Sequence, residues 1–218
     1  MQSSEAVGFL GKSVEDLYGR HVGVVVGFTL KTNGDVESLG VDQGSGAFVE
    51  LKSTRLQLQD HAVVVVPAWK ADVMRITGET EVLRKRISAL QELSKDPKES
   101  GTASVAQYEQ MRTLYETRLA KLQESSDKLL QEMKSRGEEL DRQDETFARF
   151  LVNVTIQFRS GEINEESFKV IGDHCGAMKA RNVSEREELT AAHEILGAKD
   201  GGERTIELRV PSSGATGK

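Results

Sequence analysis

Between Gly8 and Pro67 the apolar residues fall in short runs and partial alternations. Beyond Ala71 they recur every three and four residues, and near the C-terminus they alternate once more. Period two marks strands, and spacings of three and four mark one face of a helix. The first region predicts strands in "HVGVVVGFTL" (His21 to Leu30), "GDVESLGV" (Gly34 to Val41), "GAFVEL" (Gly46 to Leu51) and "AVVVVP" (Ala62 to Pro67). Asn33-Gly34 is a hairpin signal, and "DQGSG" supplies a second break. Several short strands within about sixty residues predict a small closed barrel, which would leave no exposed edge, with an open sheet as the alternative.

From Ala71 the pattern is helical. Val73, Thr80 and Ile87 lie seven apart, as do Ile76, Leu83 and Leu90, and the two sets interleave as the a and d positions of a heptad. Pro97 and Gly101 interrupt it. A second helix is predicted from Ser104. Its a positions run Val105, Arg112, Leu119, Ser126, Met133, Leu140, Phe147 and Val154; its d positions run Tyr108, Tyr115, Leu122, Leu129, Arg136, Gln143 and Phe150. At 1.5 Å per residue such a helix is roughly 75 Å long. The helix before the break is about half as long, so the excess stripe must pack on another chain or on the C-terminal helices. That mismatch predicts self-association through Leu119, Leu122, Leu129, Met133, Leu140, Phe147 and Phe150.

Residues 161–200 predict a helical pair. Asn164 is the expected N-cap of the first helix, with Ile163 stapled to Phe168, and Phe168, Ile171, Cys175 and Met178 form its apolar face. Ser184 and Glu187 fit a capping box for the second, which carries Leu189, Ala192, Ile195 and Leu196. In the tail, Ile206, Leu208 and Val210 alternate with Thr205, Glu207 and Arg209 between two Gly-rich stretches. A lone amphipathic strand is not stable by itself. It is expected to add to the sheet edge of a partner, or else to join this chain's own barrel.

Composition narrows the function classes. Of 218 residues 29% are charged and 5% aromatic, too polar for one large core and suited to a small domain joined to exposed helices. A formal charge of −6 disfavours indiscriminate nucleic-acid binding. No apolar run reaches the roughly 18 residues of a membrane span, and the leader lacks the features of a signal peptide. The single Cys175 excludes an internal disulfide, so a cytoplasmic address is expected.

Candidate chemistry is sparse. "GFLGKS" (Gly8 to Ser13) imitates the end of a phosphate loop, but the glycine such a loop needs five places before Gly11 is replaced by Ala6. His21, His61, His174 and His193 show no metal-ligand spacing, and adjacent His174 and Cys175 would face different sides of a helix. Arg84, Lys85 and Arg86 form a small basic cluster. No catalytic residue, metal ligand or cofactor is expected.

"LGKSVEDLYGRHVGVVVGF" resembles the opening of a PRC-barrel domain, through Gly11, Lys12, Val14, Gly19, Val22, Gly23 and Val24. That resemblance implies a docking module and makes Lys12 a strand residue. The order of barrel, coiled coil, helical segment and tethered strand, ending in "RTIELRVP", resembles the CdvA family of archaeal cell-division proteins. The expected fold is α+β. A PRC-barrel-like domain (1–70) precedes coiled-coil helices (71–160, hairpin loop near 96–103), a short helical segment (161–200) and a flexible tail (201–218) with a partner-binding strand at 204–211. The resemblance implies a non-enzymatic scaffold that polymerises at the inner face of the mid-cell membrane. It would recruit the ESCRT-III-like protein CdvB by adding Thr205, Ile206, Glu207, Leu208, Arg209, Val210 and Pro211 to a winged-helix domain. Membrane contact would be indirect, and the family's co-assembly with DNA would call for a basic patch that this sequence does not show. The alternatives are an accessory factor of ribosome or RNA maturation, as for other PRC-barrel proteins, and nucleotide hydrolysis at Lys12.

Overall fold

The computed structural model describes residues 3–44, 46–58, 62–94 and 105–197. A short helix α1 (Ser3–Val7) leads into strands β1 (Ser13–Asp16), β2 (His21–Leu30), β3 (Val36–Gly44) and β4 (Ala47–Lys52). A 3-10 turn (Ser53–Arg55) follows, then β5 (Leu56–Leu58) and β6 (Val63–Val65). Three helices follow among the described residues: α2 (Ala68–Leu93), α3 (Val105–Arg159) and α4 (Glu165–Gly197). The fold is α+β.

The strands form one six-stranded sheet in the order β4-β3-β2-β1-β6-β5. Neighbours are antiparallel except β1 and β6, which run parallel with Val14, Glu15 and Asp16 opposite Val63, Val64 and Val65. The expected closed barrel is therefore corrected: the sheet is open. Among the described residues β4 pairs only with β3, and β5 only with β6. Closure would need a long last strand meeting β4, but β5 and β6 have three residues each. In the core, Val14, Val25, Leu39, Val41, Leu51 and Val63 are buried together with Ala6 of α1. Gly23 is required where it stands. Its φ of 156° is one that other residues rarely adopt, and a Cβ there would lie 2.3 Å from the Asp42 carbonyl oxygen. Lys12 lies just before β1, with its Nζ 5.3 Å from the Phe9 ring centroid.

The chain divides into two compact units. One contains the sheet together with Leu140–Glu188; the other contains Trp69–Glu139 and the part of α4 from Leu189 on. In the first unit, α3 and α4 turn back on each other at Gly161. The N–H of Glu162 bonds to the Gln157 carbonyl at 2.9 Å and that of Gly161 to the Phe158 carbonyl at 3.2 Å. This closure needs a left-handed residue, and Gly161 has φ 78°. Asn164 caps α4 as the sequence implied, its Oδ1 accepting the Ser167 N–H at 2.8 Å. Phe158 stacks on Phe168 across the turn, with ring centroids 4.6 Å apart. In the second unit, Arg118 of α3 pairs with Glu79 of α2 at 3.6 Å, and the Arg86 guanidinium lies over the Tyr115 ring. Higher numbers on α2 meet lower numbers on α3, so these helices are antiparallel.

One difference concerns α4. It is a single helix of 33 residues, not the expected pair, and it passes through Asn182 and Ser184 without a break.

Candidate assembly surfaces

The strongest polar constellation binds the sheet to the helical hairpin inside the first unit. It begins with the sequence Asp16-Leu17-Tyr18-Gly19-Arg20. Asp16 Oδ1 accepts the backbone N–H groups of Tyr18 and Arg20, each at 2.8 Å. Gly19 takes φ 74° and its N–H bonds to the Asp16 carbonyl at 3.0 Å. A short aspartate accepting from the chain two and four residues on is a local turn former. Here it fixes the β1–β2 turn so that Tyr18 and Arg20 project together onto α4.

Arg20 reaches Asp16 Oδ2 at 3.1 Å, Asn182 Oδ1 at 3.0 Å and the Glu185 carboxylate. Tyr18 donates its hydroxyl to Glu188 at 2.7 Å. Burial and the Glu188 carboxylate raise the Tyr18 pKa far above the ordinary phenol value. Glu185 is only 2% exposed, so its charge depends on this pairing. Asn182 continues the network to α3 through Asp144 at 2.9 Å, and Arg186 binds Asp144 and Asp141, each at 2.9 Å. Burial raises the Asp144 pKa, but the hydrogen bonds from Arg186 and Asn182 outweigh it and hold the carboxyl below its usual range.

The helical seam is the second surface. Inward positions on α3 run Leu122, Ser126, Leu129, Met133, Arg136, Leu140, Gln143, Phe147, Leu151, Val154 and Phe158, all buried or half-buried. This series follows the α-helix's own period of about 3.6 residues, whereas a strict heptad repeat has 3.5. The drift accumulates, and Leu151 takes the place the heptad assigned to Phe150. Of the residues expected to mediate self-association, Leu122, Leu129, Met133 and Leu140 are buried within the chain. Leu119 and Phe147 are half-buried, and Phe150 is 50% exposed. Met111, Leu114, Val152 and Ile156 of α3 are also exposed.

The third surface is the β4 edge. Phe48 is 64% exposed there, its ring lying against Gly40, where an added Cβ would approach within 2.8 Å. The tail residues 205–211 lie outside the described residues, as does the hairpin loop near 96–103.

No group of three or more potential metal ligands occurs among the described residues, and no described helix is long and apolar enough to cross a membrane. A groove of about 280 Å³ in the second unit is lined by Gly78, Glu79, Val82, Leu83, Arg86 and Arg118. It presents neither a nucleophile nor a paired acid and base.

Sequence reasoning missed the Tyr18–Arg20 constellation, although a signal for it was present. Cys175, Met178, Asn182, Glu185, Leu189, Ala192 and Leu196 form an unbroken three-four series. Two polar residues on an apolar stripe imply polar partners facing them.

The sequence profile described as "CdvA-like coiled-coil domain" matches residues 68–212. The chain is also similar to "Cell division protein A" of Sulfolobus acidocaldarius. The two are 26% identical over 211 residues, covering 94% of this chain and 83% of that protein.

Proposed function

We propose, from the premise that this chain belongs to the CdvA-like coiled-coil family, that it is a non-enzymatic scaffold of cell division. The family match and the similarity to Cell division protein A support the division role. In the fuller reading, the chain self-assembles at the inner face of the mid-cell membrane. It recruits an ESCRT-III-like CdvB protein by adding residues 205–211 to the winged-helix domain of that partner.

The reach of the profile carries this reading. It covers the helices and continues through the alternating segment at 205–211 to residue 212. Helices that meet copies of themselves and a strand that docks elsewhere are the two devices a recruiting scaffold requires. The apolar residues left exposed on α3, Phe150 and Ile156 among them, offer a surface for the first. The alternating pattern of Ile206, Leu208 and Val210 offers one for the second.

The test is a pull-down of the winged-helix partner by the full chain and by its Leu208→Asp variant. A charge in the centre of the strand's apolar side should reduce capture at least tenfold without changing the sedimentation of the scaffold alone. Undiminished capture by the variant would remove the recruitment role.

A further inference from the structure

We infer that the outer face of the sheet, around the exposed Phe48 ring, is a docking site for an arginine side chain of a partner protein. The face is built by β2, β3 and β4 within the first unit. Leu39 and Val41 of β3 and Leu51 of β4 belong to the core, and Val49 packs against it. Their alternates point the other way. These are Ser38, Gly40 and Asp42 on β3 and Phe48, Glu50 and Lys52 on β4, with Asp42 opposite Phe48 and Gly40 opposite Glu50. On β2 the pairing skips Val26, since Val25 lies opposite Val41 and Gly27 opposite Gly40. That bulge turns Val26 and Gly27 together to the outer face, where Val24 joins them opposite Asp42.

Two glycines on neighbouring strands make the floor. Apart from its chain neighbours, no atom lies within 4 Å of the place a Gly27 Cβ would take, whereas Phe48 Cζ lies 2.8 Å from that of Gly40. The ring leans along the sheet over Gly40, and the space above Gly27 is open. Val24 and Val26, both exposed, border it on β2. One pair further along, Thr29 Oγ1 lies 2.6 Å from Ser38 Oγ, and the Ser38 hydroxyl donates to Glu50. Those bonds hold one carboxylate at the rim. The second is Asp42, anchored by the Gly44 N–H that its Oδ1 accepts at 2.8 Å.

Charge names the occupant. Asp42 lies directly across from Phe48, and Glu50 is the next outward residue on β4. Among the described residues neither carboxylate forms an ion pair. Lys52 stands beyond Glu50, opposite Ser38, so the residues bordering the ring are the carboxylates. A guanidinium satisfies ring and carboxylates at once. It is flat and stacks on an aromatic face, while the N–H groups at its edge bond carboxylates. Its apolar stem is covered by Val24 and Val26. A neutral apolar side chain would cover the ring and leave the carboxylates desolvated. Two copies of this same face would set carboxylates against carboxylates, which disfavours pairing of the face with itself. The contact is separate from recruitment through residues 205–211 and from association through α3.

The test is titration of the isotope-labelled full chain with N-acetylarginine amide, read as amide shifts in NMR spectra. The citrulline analogue serves as an uncharged isostere. The arginine probe should shift the Gly27, Gly40 and Phe48 amides saturably at millimolar concentrations, and the citrulline analogue should bind at least about fivefold more weakly. Asp42→Asn keeps the acceptor for Gly44 and removes the charge. Gly40→Ala sets a Cβ where the ring lies and pushes it aside. Phe48→Leu keeps an apolar cover and removes the aromatic face. Each should weaken binding about threefold or more, with the rest of the spectrum unchanged. The inference is overturned by the absence of a saturable shift at these residues, by equal binding of the citrulline analogue, or by unchanged affinity in Gly40→Ala and Phe48→Leu. It is overturned equally if concentrating the chain without probe produces the same shifts, since the occupant would then be a second copy.

Discussion

A single arginine decides how the sheet is held. Arg20 is flanked by Asp16, Asn182 and Glu185, and Glu185 has almost no access to water. Removing one member of a buried ion pair leaves the other charge desolvated, at about 3–5 kcal/mol. Arg20→Leu should therefore lower the unfolding free energy by about that amount. Arg20→Leu combined with Glu185→Leu should regain most of it, because the stranded charge is gone. Chemical denaturation of the three proteins checks this, and a double variant no better than the single would argue against a paired charge. Asp144 predicts the acid behaviour. Its carboxyl is held below the ordinary range by Arg186 and Asn182 despite the opposing effect of burial. A depressed carboxylate contributes stability that is fully present above its unfolded value near pH 4 and is lost as pH falls through the folded value. Thermal unfolding of the wild type should decline below about pH 4 more steeply than that of Asp144→Asn, and parallel declines would exclude this linkage.

The elements show where sequence reading reaches and where it stops. β2 runs from His21 to Leu30, the span its β-branched run marks, and the cap at Asn164 was equally legible. Such features depend on neighbours within a few residues. The open sheet was not legible, because it follows from the parallel pairing of β1 with β6 some fifty residues away and from the brevity of β5. The continuity of α4 was hidden for another reason. Asn182 and Ser184 favour caps when they stand alone, but Asn182 is buried and bonded to Arg20 and Asp144, and these partners hold it inside a helix. Ser184→Pro separates the two interpretations. In a continuous helix it removes an internal hydrogen bond and costs about 3 kcal/mol, with loss of helical ellipticity. At the start of a separate helix it would cost only the Ser184 cap, about 1 kcal/mol, with the helical ellipticity kept. The structure requires the costly result.

At the scale of the whole molecule, the proposed self-assembly needs a surface through which copies could meet. The long stripe on α3 appeared too extensive for one chain, yet Leu122, Leu129, Met133 and Leu140 are covered within it, so substituting them would test folding before association. Phe150 and Ile156 are the more informative positions, since they are half or more exposed and a change there leaves the interior intact. A chain with a formal charge of −6 also repels its copies, over a Debye length of about 10 Å at 0.1 M salt and 3 Å at 1 M. Association through apolar faces should strengthen as salt screens that repulsion, whereas association through exposed ion pairs should weaken. Sedimentation of the wild type should therefore give a weight-average mass above one chain that rises with added salt. Phe150→Glu with Ile156→Glu should sediment as single chains at every salt concentration, with unchanged helical ellipticity. A double variant that still assembled like the wild type would transfer the contact elsewhere. A wild-type assembly that dissolved in salt would make it electrostatic, with the exposed charges of α2 and α3 as the next residues to reverse.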